Sequence, residues 1–596
     1  MKKISSILIM CAVLMTACSK DFLSEKPVTG IYAENLLVDY QGFENMSNSL
    51  LYLVRCEFCT QTIPLGGSEF PTALNCNMST LWMCGQDNAW HNNRTAYYQH
   101  QVVPKLITGM TDGQAFQSIF EWLYKTVNVA NMIITRAENP DVNWQGGSQE
   151  VNLQRKEKII AHARLIRAWA YRHLVYSFGP VPLSTREIVG STVRTDWERN
   201  PIEEIYGVME QDYLYAVQKL DWREEGNNIW GNQAVARHYL GELYLAKGDP
   251  ESAKNILRPL VEGNEYYLMT SRFGSNKAND GSAFMDVFAD PQYAHGNREV
   301  LWMFPNADKT EVSSGYTSGM YQRNMWFNWY VSLSEVTALT HSAYDGLTIE
   351  LFNQVNNNRG VGRCAISKGA LDLYDWNGQG GKDIRYNNDA IVWHLYFMGE
   401  DGQKFEILNE EGESLISTEI TPNMVDDSYP NIRNYNWPSP RKWQWANPII
   451  ARANEAGQFN DVPYLRLADT YLLYAEALYK LGDSKAVSWI NRIRARANVS
   501  NAKESDMSID FILDERSREL VAEEERQHTL IRLSWENGGD ERKADNVYKS
   551  RVRKYNEVCG RSGRGCDDDV TPVLFPIPQD FINSNTGRKI EQNPGY

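Results

Sequence analysis

Helical periodicity broken by glycine-led turns is what most limits the folds open to this chain. From Ala115 to Phe178 apolar residues return at steps of three and four: Phe116, Ile119, Phe120 and Leu123, then Ile159, Ile160, Ala163, Ile166, Ala170 and Leu174. That spacing puts them on one face of a helix and predicts long amphipathic helices packed on one another. A second block runs from Ile202 to Val261. Within it Leu240-Gly241-Glu242-Leu243-Tyr244, followed by Ala253 and Leu257, has the spacing of a tetratricopeptide repeat. Gly241 allows close helix approach. In Lys247-Gly248-Asp249-Pro250, Gly248 closes one helix, Asp249 caps the next and Pro250 suits its first position.

A third block spans Asp461 to Arg532. Leu465, Ala468, Leu472, Ala475 and Tyr479 form one stripe, Gly482-Asp483 repeats the stop-and-cap signal, and Trp489, Ile490 and Ile493 carry the next helix. The fold class expected is mainly α, a tetratricopeptide-like helical-repeat scaffold. Repeat stacks present extended surfaces and bind more often than they catalyse. Between residues 264 and 460 the pattern breaks into short apolar stretches, Gly/Asn turns and isolated tryptophans. So long an irregular stretch is either disordered or functional, and its density of rings argues against disorder. It is read as a loop-rich insert that builds much of the binding face, with Met398 to Glu419 as a surface loop.

The N-terminus addresses the chain to the cell envelope. Lys2 and Lys3 precede an apolar stretch from Ile4 to Ala17, and Leu14-Met15-Thr16-Ala17-Cys18 resembles a lipobox, with Met15 where leucine is usual. The stretch is shorter than the roughly 20 residues a spanning helix needs, which makes it a signal peptide. Cys18 is expected to become the lipidated first residue, and multiple acyl chains on it give stable anchoring. One compact domain follows: a lipidated leader (18–35), an N-terminal helical part (36–263), the insert (264–460) and a C-terminal helical part with its tail (461–596).

Charge and cysteines exclude some functions and leave others open. Removing residues 1–17 takes the formal charge from −15 to −17, and the 60 Lys and Arg are interspersed with 75 Asp and Glu. Nucleic acid is not an expected partner, because phosphate binding needs clustered cations. The 18 Trp and 32 Tyr instead favour a ligand read by stacking. Cysteines at 56, 59, 76, 84, 364, 559 and 566 are odd in number. Cys559 and Cys566 could bridge a Gly/Arg loop, and the group Cys56, Cys59, Cys76 and Cys84 reads either as a zinc site or as plain burial and partial pairing. No metal and no cofactor is expected.

Several segments stand in order along the chain: Cys18-Ser19-Lys20-Asp21-Phe22-Leu23; Ala163 to Trp169 running into Tyr176-Ser177-Phe178-Gly179-Pro180-Val181-Pro182-Leu183; Asn297-Arg298-Glu299-Val300-Leu301-Trp302; and Asp461 through Ala477. Ile490 to Ala497, Ile512 to Leu520, Phe575-Pro576-Ile577-Pro578-Gln579 and Gln592-Asn593-Pro594-Gly595-Tyr596 complete the series. Together they resemble the SusD/RagB family of outer-membrane nutrient-binding lipoproteins. Where the family has a Glu-Gly pair before an arginine and an aspartate after it, this chain has Glu523-Glu524 before Arg526, and Thr529. Arg466, Glu476, Arg494, Glu515 and Arg518 are read as ion pairs and caps inside the scaffold, with Asp514 and Arg518 at i, i+4 spacing.

The resemblance implies a SusD-like scaffold that lies on a SusC-like TonB-dependent transporter at the outer membrane, faces the cell exterior and delivers oligosaccharides or polysaccharides to it. It also implies a groove built from a segment after the first helix and from the insert. Here those places hold Trp82, Asn88, Trp90, Arg94 and Tyr97, and Tyr321, Trp326 and Trp329. Rings offer a platform to the C–H face of a sugar, while amides and guanidinium groups satisfy its hydroxyls. Core packing is the competing use of the same rings, and Trp376, Trp393, Trp443 and Trp445 are weaker candidates. A peptide ligand is the alternative, since part of the family serves peptide transporters, and a scaffold with no ligand of its own is a third reading. Catalysis is not expected: the chain holds no H-E-x-x-H, G-x-S-x-G, Walker loop or dinucleotide fingerprint, and Asp426-Asp427 and Asp567-Asp568-Asp569 read as solvated runs.

Overall fold

The computed structural model describes residues 33–59, 78–91, 110–223, 228–278, 280–306, 320–327, 355–356, 360, 362, 364–378, 380–398, 402–408, 411–418, 437–444, 458–536, 545–556, 573–594 and 596. The signal peptide and Cys18, the cysteines at 76, 559 and 566, and Arg94, Tyr97, Trp329 and Trp445 lie outside these residues. Among the described residues the fold is mostly helical with a few short strands. Helices of seven or more residues run α1 (Tyr40–Arg55), α2 (Met110–Ala137), α3 (Gln149–Phe178), α4 (Ile202–Lys219), α5 (Gln233–Ala246), α6 (Pro250–Glu262), α7 (Ala283–Ala289), α8 (Leu467–Lys480), α9 (Ala486–Arg496), α10 (Ile509–Leu520) and α11 (Arg526–Trp535). None among the described residues is long and apolar enough to cross a membrane.

Each helix packs on its neighbour in sequence from α2 to α6, and α6 then closes against α8, which carries α9 and α10. The second hairpin forms as its residues dictate. Gly248 takes φ +71°, Asp249 accepts from the Ser252 N–H, and Pro250 occupies the first helical position. A Cβ on Gly241 would meet Leu257 Cδ2 at 2.4 Å, so glycine is what lets α5 and α6 touch. The third block departs in one detail. Gly482 adopts φ +69° as the stop signal requires, but Asp483 accepts from the Lys485 N–H in a local turn, and α9 starts at Ala486 without a side-chain cap.

The short strands tie the insert to the helices. β2 (Val300–Phe304) pairs antiparallel with β8 (Val462–Arg466), which leads into α8. β1 (Ala89–His91) pairs with β3 (Cys364–Ile366), β4 (Ile391–Val392) with β7 (Ser439–Pro440), and β5 (Tyr396–Met398) with β6 (Lys404–Glu406). A buried ion network reinforces the seam. Arg466 meets Glu299 at 2.5 Å, Glu519 at 3.2 Å and Glu523 at 2.5 Å, and Arg496 meets Glu299 and Glu519. Arg385, from the insert, reaches Asp383, Glu515 and Glu519. Buried charges persist only when paired in this way, because an unpaired one is too costly to desolvate. Arg518 pairs with Glu515 and not with Asp514, which takes Arg551 instead, since that guanidinium approaches from a separate helical turn, Ser550–Tyr555.

The segments that carry the resemblance also meet in space. Phe575 N–H donates to Ser177 O at 2.7 Å, and Asn593 Nδ2 donates to Phe178 O and Phe575 O. Arg199 clamps the same corner through Pro180 O, Phe178 O and Asn593. Thr529, where the family has aspartate, donates to Glu524 Oε1 at 2.5 Å, and Glu524 also receives Arg516 and Arg526.

Candidate binding site

The structure separates the residues expected to meet a ligand. Trp82 is fully buried: its Nε1–H donates to Ser177 Oγ at 2.8 Å, and its ring lies against Trp122, His173 and His528. Trp326 is 1% exposed, and Asn88 is buried with its carbonyl accepting from Ser367 N–H. These three are corrected from ligand contacts to core residues. The reason is Asp87, whose carboxylate receives Arg526 at 2.8 Å and Arg551 at 2.9 Å and pins the segment inward. Trp90 lies on β1, and Tyr321 is half-buried, its N–H donating to Phe58 O. Of the weaker candidates, Trp443 donates to Ala522 O, Trp393 to Tyr386 O, and Trp376 lies under the Arg494 guanidinium, so all three serve packing.

Cys56, Cys59 and Cys84 are buried, and burial pushes the Cys56 thiol well up, which disfavours the thiolate a metal would need. Among the described residues the cysteines do not gather with other ligand-type groups into a metal-sized cluster.

What the insert does build is a polar cavity of about 560 Å³. One wall is α7, capped by Ser282 and carrying Asp286, which accepts from Arg272 Nε at 2.6 Å. The opposite wall is held by amides. Asn356 brackets Tyr396, accepting from its N–H at 2.9 Å and donating to its O at 2.6 Å, and Asn388 Oδ1 accepts from the Trp393 and His394 N–H groups. Arg441 also lines the cavity, its Nη1 donating to Gln444 Oε1 at 2.8 Å. It makes no ion pair among the described residues, its Nε–H has no acceptor there, and burial lowers its pKa to about 10. The cavity thus combines a guanidinium with spare donor capacity, amide groups, carboxylates and the half-buried Tyr396 ring. That is the donor set a polyhydroxylated ligand requires, in a volume usual for small-ligand sites.

Sequence reasoning missed Arg441, Gln444 and Tyr396. The one available signal was an arginine with no acidic residue within several positions, between Trp437 and Trp443. A larger cavity of about 750 Å³ lies beside α2 and is lined by Phe120, Tyr124, Trp197 and Phe581. Two of its polar groups are already committed, Tyr124 OH to Pro182 O and Asn128 to both backbone groups of Ile188, and its lining is mainly apolar, so it suits hydroxyl recognition less well.

Comparison with known proteins bears on the class. The SusD family model matches residues 298–596, just over half of the sequence. The chain belongs to the SusD family. A second family model, described as starch-binding associating with outer membrane, matches residues 72–244. Among SusD-family relatives, a SusD-like protein of Bacteroides ovatus is 23% identical, covering 87% of this chain and 80% of its own. A SusD homolog of Bacteroides thetaiotaomicron superposes with TM-score 0.65 at 18% identity, covering 96% of this chain and all of its own. A laminarin-binding SusD-like protein gives TM-score 0.60 at 18% identity, with 93% and 99% covered. These likenesses establish a SusD-like fold.

Proposed function

We propose that this protein is a cell-surface glycan-binding lipoprotein, anchored in the outer membrane through Cys18 and facing the exterior, that captures oligosaccharides and passes them to a TonB-dependent transporter. It carries out no reaction of its own. The observation that carries this reading is the insert cavity, where Arg441, Gln444, Asn388 and Tyr396 converge. A SusD-like fold in which a relative binds laminarin supports a glycan as the occupant. The Arg441 guanidinium and the Gln444 amide donate to hydroxyls, Asp286 and Asp389 accept from them, and the Tyr396 ring offers a face for C–H contact. Trp90, Arg94, Tyr97, Tyr321 and Trp329 stay assigned to the ligand; Trp82, Asn88 and Trp326 do not.

The test is calorimetric titration of the protein without residues 1–18 against a panel of oligosaccharides and peptides. Heat from at least one glycan and none from the peptides is the expected result. A peptide signal beside silence from every glycan would replace this reading with peptide capture.

A further inference from the structure

Within the helical scaffold, three groups from distant parts of the chain converge. Glu57 sits in the turn Cys56–Phe58 after α1, His173 lies in α3, and Glu525 precedes α11. One ligand-type atom from each lies within 4.8 Å of the other two. We propose that Glu57, His173 and Glu525 form a buried site for one divalent transition-metal ion, with the Tyr464 hydroxyl beside it.

The hydrogen bonds already made define what is left over. His173 Nδ1 is 3.0 Å from Trp169 O, and a carbonyl can only accept, so Nδ1 carries the proton and Nε2 presents a lone pair. That lone pair faces Glu57 Oε2 at 4.0 Å, too far for a hydrogen bond, and Nε2 has no hydrogen-bond partner among the described residues. Glu57 Oε1 has none among them either, although the residue is wholly buried. Tyr464 OH donates to Glu57 Oε2 at 2.7 Å and lies 3.3 Å from Glu525 Oε1. A protonated Nδ1 on a backbone carbonyl with Nε2 turned toward carboxylates is the usual outer arrangement of a metal-bound histidine.

Charge leads to the same conclusion. Arg172 is shared between Glu242, at 2.8 Å, and Glu525, at 3.4 Å, and Glu57 lies within reach of its charge without pairing with it. Surplus negative charge in a largely buried pocket is costly, and one divalent cation would cancel it. Bonds of about 2.0–2.2 Å in tetrahedral geometry hold ligand atoms about 3.3–3.6 Å apart, so ligation draws these three groups together by up to roughly 1–1.5 Å. One imidazole with two carboxylates and no thiolate suits zinc, iron(II) or manganese better than calcium, which prefers all-oxygen shells. Such an ion would fasten the turn after α1, the C-terminal part of α3 and the start of α11. Because Glu57 and His173 are wholly buried, it would be filled during folding.

The experiment begins with the metal content of protein purified without chelator, then unfolds the protein in chelator and refolds it with zinc or cobalt(II). Expected are close to one ion per chain, visible cobalt(II) absorption bands, and a Tm several degrees above that of protein refolded without metal. Glu57→Gln and His173→Gln should each abolish the stoichiometric ion and the cobalt bands while far-UV circular dichroism keeps its helical form. If either variant fails to refold, Glu525→Gln and the wild-type cobalt spectrum decide. Wild-type protein that refolds fully yet holds no ion, shows no bands and gains no Tm would overturn the site, leaving a proton or water between these groups. Variants that still bind one ion would overturn it as well.

Discussion

Asp87 shows how a single residue decides between groove and core. Burial alone would raise its pKa, but the charges and hydrogen bonds of Arg526 and Arg551 outweigh that and hold its carboxyl well below the usual carboxylate range. Asp87→Asn would take the shared carboxylate from two buried guanidinium groups, leaving Arg526 to Glu524 and Arg551 to Asp514. A loss of about 3–5 kcal/mol is expected, read as a lowered denaturation midpoint with an unchanged slope. Trp82→Ala should likewise cost about 3–5 kcal/mol of stability as a core cavity, and denaturant titration will show it whether or not ligand is present. A tryptophan near asparagine and arginine reads alike in sequence whether it lines a groove or packs inward. The partners that settle the matter for Trp82, Ser177 and His528, are remote along the chain, which is why the sequence reading placed it wrongly.

Among the elements, legibility follows how local the cause is. Helices α3, α5 and α6 were readable because their stripes and caps lie within a few residues of one another, as with Gly248, Asp249 and Pro250. The pairing of β2 with β8 was not, because Val300 to Phe304 is a continuous apolar run that periodicity cannot assign and its partner strand lies some 160 residues on. The Asp483 turn misled for a local reason, since an Asx turn and an N-cap share the same residue preference. The α5–α6 hairpin offers a direct check. Asp249→Ala should cost about 1 kcal/mol through loss of the cap, and Gly241→Ala about 1–3 kcal/mol through overpacking against Leu257; both are measurable as shifts in Tm, with ligand affinity unchanged.

The whole molecule combines a scaffold stiffened by buried charge with an insert that presents spare polar groups. The first property sets its response to acid. Glu515 and Glu476 are held well below their ordinary range and Glu519 at about 2: burial opposes this, and the surrounding arginines prevail. Their stabilisation is present above the unfolded range near 4.5 and is lost as pH falls through it toward 2. Burial also keeps His162 neutral down to about 3, so below about 6.5 the unfolded chain takes that proton first and stability drops. Above the ordinary aspartate value near 3.8 the raised carboxyls of Asp212 and Asp461, where burial wins, act in the opposite sense. Thermal denaturation across pH should therefore show a shallow region above about pH 4.5 and a steep fall below it. Each proton taken up on unfolding contributes about 1.4 kcal/mol per pH unit.

The second property is the one on which function rests. The measurement that tests it most directly is titration of the best-bound oligosaccharide into wild-type protein and into Arg441→Ala, with Tm recorded for both. Loss of a charge-assisted hydrogen bond worth about 1.5–3 kcal/mol predicts affinity weakened by roughly ten- to a hundred-fold at little change in Tm. Equal affinity in the two proteins would contradict the account and remove the insert cavity as the place where the glycan is held.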